Sequence, residues 1–231
     1  MNYIIFNEKD SRDMVGLLIS ELPPISKPNM RVRETTVDGV DGSTYEELGY
    51  ESYNKSVVIG LRIGADVDKI IEYFTGEGKV VFSNEPTKYY KAKITKQIDF
   101  ARLLRYKVAT VNFRVQPFKY DNIEVERVSQ AGKTSMVIEN NGNHTAKPAI
   151  EIVGSGEIRL TVNGNEMFKY TFPSGDNAVV IDSEKQDAYF GVDLKNRNMY
   201  GEFPIFDKGS NVVSWEGDVE SVKITRYSRW L

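Results

Sequence analysis

Apolar and polar residues alternate with a period of two along much of the first half of the chain, which predicts β-strands. The clearest case is the segment 105–117, where the odd positions Val111, Phe113 and Val115 are apolar and are expected to face a core. Shorter strands are predicted where apolar or β-branched runs lie between polar turns, at 3–6, 14–19, 57–63, 79–82 and 89–98. The chain therefore begins as a mostly β structure.

One segment has helical spacing instead. Its apolar residues fall at i, i+3, i+4 and i+7, the spacing of one helix face, and they are Val67, Ile70, Ile71 and Phe74. Asp66 can cap the first turn and Gly76 can terminate the last one. We expect one helix here, packed on the strands by this apolar face.

The segment 30–37 alternates without keeping one clean apolar face, which indicates an exposed or edge strand. It runs into the sequence VDGVDGS at 37–43, whose two Asp-Gly pairs favour positive φ and mark tight turns. An extended segment follows at 44–54. Edge strands of this kind are candidates for pairing with a neighbouring chain by strand addition.

The pattern changes after residue 118. The stretch 118–128 is either a connector or a long strand, and from 134 onward short strands recur at intervals of about 8–12 residues between Gly- and Asn-rich turns. The predicted strands are 134–139, 149–153, 157–162, 166–172, 178–182, 188–193, 211–215 and 221–227. Asn163-Gly164 is a type I′ hairpin signal. This spacing is typical of a β-sandwich.

These patterns predict a mainly β protein of two domains. Residues 1–125 form an α+β domain with one helix packed on a β-sheet, and residues 126–231 form a β-sandwich. A chain of 231 residues with 40% hydrophobic and 27% charged residues is sufficient for two cores.

Composition excludes several classes of chemistry. The chain has no cysteine and one histidine, which excludes disulfides, thiol nucleophiles and metal sites built on several of these residues. Its 30 basic and 33 acidic residues give a net charge of −3, so bulk charge does not indicate nucleic-acid binding. No apolar run fits a signal peptide or a membrane span. We predict no catalytic residue, no cofactor and no metal site.

Four local features could indicate a chemical or binding function. His144 lies in a polar turn, where a surface histidine is expected. The VDGVDGS turn fails as a calcium loop in both registers. With Gly42 at loop position six, Gly39 and Leu48 stand at positions three and twelve, and with Gly39 there, Thr36 and Tyr45 do, so none of these positions is acidic. Paired acids such as Glu46-Glu47 carry little information about a glycan hydrolase in a chain with 33 acidic residues. Exposed aromatic residues leave one alternative open, carbohydrate binding through the C-terminal sandwich.

Blocks along the whole chain carry a family resemblance. They are Asn7, Ser11 and Gly16-Leu17; Pro23, Pro24 and Pro28 ahead of the turn Gly39-Val40-Asp41-Gly42; the helix at 66–74; FSNEPTKYYKAKI; AxVNFRVQPFKY; Asn140 to Gly164; and the last hairpin with Gly209 and Asn211. In this order they resemble the distal tail (Dit) proteins of siphophages and prophages of Gram-positive hosts. The family's turn is GRDG-like, and Val40 replaces its arginine.

This resemblance implies a structural role. Distal tail proteins form a hexameric ring hub that joins the tail tube to the baseplate and the receptor-binding proteins, with a channel for DNA. The implied N-terminal domain builds the ring, and the C-terminal domain is a galectin-like or jelly-roll sandwich. Implied partners are further copies of the chain, the tail tube protein, the tape-measure protein and a tail-associated lysin, fibre or receptor-binding protein. The chain would be made in the bacterial cytoplasm, reside at the virion tail tip, and bind no membrane.

A ring needs two complementary patches on each subunit, because its interfaces are head-to-tail. The exposed strand and its turn are the candidates for one patch. The predicted interface residues are Val32, Arg33, Val37, Gly39, Asp41, Gly42 and Tyr45. Near-neutral charge also suits a channel through which DNA must slide.

Overall fold

The structure is a computed structural model that describes residues 1–98, 105–122, 125–129 and 132–231. The chain divides into two compact units, Met1–Asn122 and Ile123–Trp230. The predicted 118–128 connector is partly described: its first four residues end a long strand, and residues 123–124 lie outside the described residues.

The first unit is built mainly of strands. They are β1 (Ile4–Phe6), β2 (Lys9–Asp10), β3 (Leu17–Glu21), β4 (Met30–Thr35), β5 (Thr44–Tyr50), β6 (Tyr53–Leu61), β7 (Glu77–Phe82), β8 (Lys88–Ile94) and β9 (Val108–Asp121). A 3₁₀ turn spans Ser11–Asp13, and helix α1 spans Val67–Tyr73. All strands except β4 and β5 join one antiparallel sheet in the order β2-β1-β7-β8-β9-β6-β3.

The alternation in β9 sets the core of this sheet. Val111, Phe113 and Val115 are fully buried, as predicted. The Phe113 ring makes edge contacts with Phe6 at 5.5 Å and with Phe82 at 5.8 Å between centroids. Strand β9 begins later than predicted because Lys107 has a φ of 61°, in the left-handed region that a strand cannot include.

Helix α1 lies where the spacing predicts it, and its N-cap is the predicted one: the Asp66 carboxylate accepts from the Lys69 amide at 3.2 Å. Its buried face differs from the prediction. Ile71 is 37% exposed, whereas Tyr73 is buried and its hydroxyl donates to the backbone oxygens of Ile4 and Lys9, both at 3.2 Å. The buried face of the helix therefore includes Tyr73, whose hydroxyl has backbone partners, in place of the predicted Ile71.

The second unit consists of strands and one 3₁₀ turn at Asn196–Asn198. The strands are β10 (Val125–Val128), β11 (Ser135–Asn140), β12 (Ala149–Val162), β13 (Asn165–Thr171), β14 (Ala178–Asp182), β15 (Asp187–Phe190), β16 (Asp193–Leu194), β17 (Met199–Gly201), β18 (Gly209–Arg226) and β19 (Arg229–Trp230). Asn163 and Gly164 have φ of 52° and 83°, which fits the predicted type I′ turn between β12 and β13.

Strands β12 and β18 each replace two predicted short strands. The register between them shifts beside Gly154, and there the strands change neighbours: the first half of β12 pairs with β14 and the second half with β13. A Cβ on Gly154 would lie 2.4 Å from the Asp218 oxygen, and one on Gly217 would lie 2.4 Å from the Glu157 oxygen. The glycines therefore permit a close approach at which both strands bend instead of ending.

The bend folds one sheet over its own core. Ile150 and Ile152 before it, and Ile158 and Leu160 after it, all lie in the same buried cluster. Two halves of one strand thus face one core from two layers, as in sandwiches whose strands switch sheets at bends. The mainly β prediction is confirmed for the chain.

Candidate assembly interface

Strands β4 and β5 form a hairpin that pairs with no other strand among the described residues, and we call residues 30–50 the arm. Its register joins Val32 to Glu47, Glu34 to Tyr45 and Thr35 to Thr44. Beyond Met30 and Tyr50, every residue of the two strands is exposed. The sequence explains this exposure, because neither strand has a continuous apolar face to bury.

The two faces of the arm differ in chemistry. Directly paired residues share a face, so Val32 and Tyr45, which are 47% and 60% exposed, lie diagonally on the face that also carries Glu34 and Glu47. The Tyr45 hydroxyl donates to the Glu34 carboxylate at 3.2 Å. The opposite face carries an ion pair of 2.9 Å between Arg33 and Glu46, with both side chains more than 60% exposed. Such an exposed pair adds little stability.

The tip of the arm is the VDGVDGS turn. Gly39 and Gly42 have φ of 82° and 88°, and a Val37 oxygen accepts from the Val40 amide at 3.1 Å. Val37 therefore belongs to the turn and not to the predicted strand, which ends at Thr35. Val37, Val40 and Asp41 are exposed. The predicted interface residues thus all lie on the arm, with Val32 and Tyr45 on one face, Arg33 on the other and the rest at the tip.

Residues 22–29 lead from β3 into the arm, and we call them the strap. Three side chains from the sheet region bind its carbonyl oxygens: Asn84 donates to Pro23 at 2.9 Å, Lys55 to Pro24 at 2.9 Å and Tyr53 to Ser26 at 3.4 Å. Each proline of the strap also lacks a backbone donor. Side chains of the sheet therefore fix the path of the strap where strand pairing does not.

Lys55 is the unusual member of this set, because it is a 2% exposed lysine. Its ammonium lies over the rings of Tyr90 at 4.8 Å, Tyr53 at 5.6 Å and Phe82 at 5.8 Å. Burial lowers the Lys55 pKa to about 8, although the nearby Glu85 carboxylate opposes this shift. Aromatic faces and one carbonyl thus partly replace the water that this cation has lost.

Glu85 supplies the neighbouring negative charge. Its carboxylate accepts from the Lys119 ammonium at 2.5 Å and from the Tyr90 hydroxyl at 2.6 Å. Burial raises the Glu85 pKa, but these two hydrogen bonds outweigh it and hold the pKa below its ordinary value. The Tyr90 pKa is raised by burial and by Glu85. This network keeps a carboxylate charged beneath the strap.

Sequence reasoning did not single out Lys55, although the pattern carries the signal. In β6 the buried positions alternate, and Lys55 falls in phase with Val57 and Ile59, both fully buried. A lysine in phase with core residues is unusual, because lysine is almost never fully buried without partners. The donors to Pro23 and Ser26 could not be found this way, since their partners are distant in sequence.

The single histidine and the possible metal and membrane sites were also considered as functional features of the sequence, and the structure describes each of them. His144 is half-buried, and its Nδ1 lies 3.2 Å from the Thr145 hydroxyl. Burial and the charge of Arg229 lower the His144 pKa. Within the described ranges no group of three or more His, Cys, Asp or Glu residues is arranged to hold a metal ion. In the same ranges no helix has the length and hydropathy to cross a membrane.

Comparisons with solved structures show which known fold the chain has. The chain matches phage tail hub and baseplate structures over nearly its whole length. The Dit protein of phage SPP1, described as a hub adsorption apparatus of phages infecting Gram-positive hosts, aligns with a TM-score of 0.74 at 14% identity over 100% of both chains.

Two phage P2 baseplate structures also match. The baseplate in its activated conformation with Ca aligns with a TM-score of 0.51 at 8% identity over 98% of both chains, and the one with Sr with a TM-score of 0.50 at 9% identity over 97%. No family model and no curated protein matches the sequence. At these identities the likeness shows the fold, and for the fold it confirms the resemblance to siphophage distal tail proteins.

Proposed function

We propose that this protein is a structural hub of a phage tail tip, a distal tail protein that assembles as a ring between the tail tube and the baseplate. The observation that carries the proposal is the likeness to the SPP1 hub protein over the full length of both chains. A structural role also accounts for a chain without cysteine and with one histidine, because a hub needs surfaces instead of a nucleophile.

The arm gives this proposal a physical basis. A lone two-stranded hairpin is at best marginally stable in water. The arm also exposes Val32, Val37, Val40, Tyr45 and Leu48 to solvent. A neighbouring copy that covers the face with Val32 and Tyr45 would remove this apolar surface from water and stabilise the hairpin.

Assembly through such an arm is head-to-tail, because the arm of one copy binds a different surface of the next. A head-to-tail contact that closes on itself produces a ring. By the family resemblance the ring is hexameric, with a DNA channel, and its partners are the tail tube, tape-measure and receptor-binding or lysin components. The protein would then be made in the bacterial cytoplasm and end in the virion.

The test is a pair of double variants on the two faces of the arm. Val32→Lys with Tyr45→Lys replaces the two apolar side chains of the face that carries Val32 and Tyr45 by charged ones, and we expect it to abolish oligomers in size-exclusion chromatography with light scattering. The matched control, Thr35→Lys with Thr44→Lys, adds the same charge to the opposite face. The proposal fails if both variants assemble like the parent chain, or if the parent chain forms no assembly alone or with its tail-tube protein.

A further inference from the structure

Three loops of the first unit meet at one end of its sheet and expose apolar side chains. They lie before β3, after β6 and at the start of β9, and we call their residues 15–16, 62–64 and 105–108 the loop patch. Its exposed apolar residues are Val15, Ile63, Tyr106 and Val108. Ile63 is fully exposed, and the other three are at least 42% exposed. Single exposed apolar residues are common on protein surfaces, but a cluster of them indicates an interaction surface.

Backbone pairing holds the three loops of the patch together. The Arg62 amide donates to the Gly16 oxygen at 2.8 Å, and the Leu61 amide donates to the Lys107 oxygen at 3.0 Å. Strand β6 also pairs with β9 as far as Val108. The apolar side chains of the patch are therefore carried close together by segments that are fixed to one another.

The loop patch is also basic. Its exposed cations are Arg62, Arg105 and Lys107. None of the three forms an ion pair within the described part of the chain. Asp13 and Asp66 flank the patch, and the Asp66 carboxylate is paired with Lys69 at 3.4 Å. We therefore expect a partner of this surface to carry apolar side chains together with negative charge.

The tip of the arm has this chemistry. Residues 36–43 contain two aspartates and no basic residue. Val37 and Val40 are 59% and 65% exposed there. Asp38 and Asp41 are exposed as well, and they form no ion pair with any residue that the structure describes. The tip is thus apolar and acidic, whereas the loop patch is apolar and basic.

The arm and the loop patch lie at opposite ends of the sheet in one copy. Strand β6 begins at Tyr53, three residues after the arm, and ends at Leu61, next to the patch. The nine residues of this strand, at about 3.3 Å per residue, place its ends about 26 Å apart. Strand β3 runs back from the patch to the strap. A head-to-tail contact joins different surfaces of neighbouring copies, and these two surfaces meet that requirement.

Resting on the proposed hub function, we infer that the loop patch of one copy binds the arm tip of the next copy. Val37 and Val40 then cover the apolar side chains of the patch, while Asp38 and Asp41 lie near its cations. Burial of apolar surface supplies the affinity, and the opposite charges select the partner and its orientation. The occupant of the patch is thus a second copy of this chain.

Thiol cross-linking tests this contact directly, because the chain has no cysteine of its own. The single variants Val40→Cys and Ile63→Cys are mixed, allowed to assemble and treated with a short bismaleimide linker. One variant carries an affinity tag, so that a cross-link between unlike chains is recognised by its mass. We expect most of the cross-linked product to join unlike chains, and we expect the double variant to give a ladder of covalent oligomers.

The matched control for the cross-link pairs Val40→Cys with Val192→Cys, because Val192 is also apolar and is 97% exposed. This pair should give only background cross-linking. The inference is wrong if the control pair reacts as efficiently as the first pair. It is also wrong if chains that assemble give no cross-link to Ile63→Cys, since another partner would then cover the patch.

Charge reversal tests the electrostatic part of the contact. Asp38→Lys with Asp41→Lys reverses the tip, and Arg62→Glu with Arg105→Glu reverses the patch. Each pair alone should weaken assembly at least about tenfold, because it brings like charges together. A chain with all four substitutions should regain assembly, because opposite charges face each other again. A fourfold variant that stays as weak as the two double variants would contradict the contact.

A matched control and light scattering separate the possible failures. Lys133→Glu with Lys208→Glu changes the net charge as much as the patch reversal does, at exposed positions of the second unit, and should assemble like the parent chain. A parent chain that never assembles contradicts the hub itself. A parent chain that assembles and is unaffected by reversal of the patch contradicts the loop patch alone.

Discussion

The ammonium of Lys55 lies 2.9 Å from the carbonyl oxygen of Pro24, so a buried cation of the sheet binds the strap that leads into the arm. The strap has two further side-chain contacts, from Asn84 and Tyr53. The arm itself has no strand partner in the described part of the chain. The direction in which the arm leaves the domain therefore depends on a few polar contacts at its base.

The burial of Lys55 should be visible in the pH dependence of stability. Its pKa is about 8 in the folded chain against 10.5 in the unfolded chain, so the unfolded state binds more protons between these values. The destabilisation is fully present below pH 8 and is lost as pH rises toward 10.5. From pH 7 to pH 9.5, the free energy of unfolding of the parent chain should rise by about 2 kcal/mol relative to that of Lys55→Met. Urea unfolding of both chains at each pH measures this difference.

The exposed Lys93 provides the control for this prediction, since Lys93→Met removes a cation whose side chain is 59% exposed. The difference between the parent chain and Lys93→Met across the same pH interval is the baseline against which the Lys55→Met difference is compared. Parallel curves for the parent chain and Lys55→Met would show that Lys55 is not buried as a cation.

The Glu85–Lys119 pair should be strongly coupled. Both side chains are at most 14% exposed, so Glu85→Gln leaves a buried ammonium without its carboxylate and should cost about 3 kcal/mol of unfolding free energy. Adding Lys119→Met should recover part of this loss. Because the Glu85 pKa is lowered, its contribution is present above pH 4.5 and is lost as pH falls below that value. Additive single variants would contradict the pairing.

The bend of β12 and β18 should depend on Gly217. Its φ is 105° and an added Cβ would lie 2.4 Å from the Glu157 oxygen, so Gly217→Ala should cost about 3 kcal/mol in denaturant unfolding. Gly156→Ala is the control, because its φ of 67° is also positive but no atom lies within 4 Å of the new Cβ. We expect the control to lose about 1 kcal/mol. Equal losses would mean that the close approach does not set the bend.

The arm should be dispensable for the fold of its own domain. Residues 31–49 can be replaced by Asn-Gly, which joins the paired residues Met30 and Tyr50 by a tight turn. The free energy of unfolding should change by no more than about 0.5 kcal/mol, because the removed residues are exposed. Thermal unfolding of both chains measures this change. A large loss of stability would mean that the arm belongs to the core.

Local sequence patterns determine some elements of this fold and not others. Local alternation placed β9 and its buried Val111, Phe113 and Val115, and helical spacing with the Asp66 cap placed α1. Local sequence patterns give the wrong residue where a contact with a part of the chain distant in sequence determines which side chain is buried. Tyr73 is buried in place of Ile71 because its hydroxyl can bind the backbone oxygens of Ile4 and Lys9, which are distant in sequence.

The glycines of the second unit illustrate the same limit. Gly154-Ser155-Gly156 carries the composition of a turn, and the sequence predicts that a strand ends there. In the structure the Asp218 backbone oxygen of β18 lies close to Gly154, and β12 bends there and continues pairing with β18 instead of ending. Similarly, the arm residues were predicted from their exposure, and the surface that would cover them stays a prediction.

Assembly of the chain through its arm can be measured by analytical ultracentrifugation. Sedimentation velocity compares the parent chain, whose monomer has a mass of 26.2 kDa, with the chain in which Asn-Gly replaces residues 31–49. The comparison separates assembly from folding because the removed residues are exposed and the shortened chain is expected to stay folded. We expect one closed species for the parent chain, a hexamer by the family resemblance, and a folded monomer for the shortened chain. A parent chain that stays monomeric at 100 µM even with its tail-tube protein, or a shortened chain that still assembles, would contradict it.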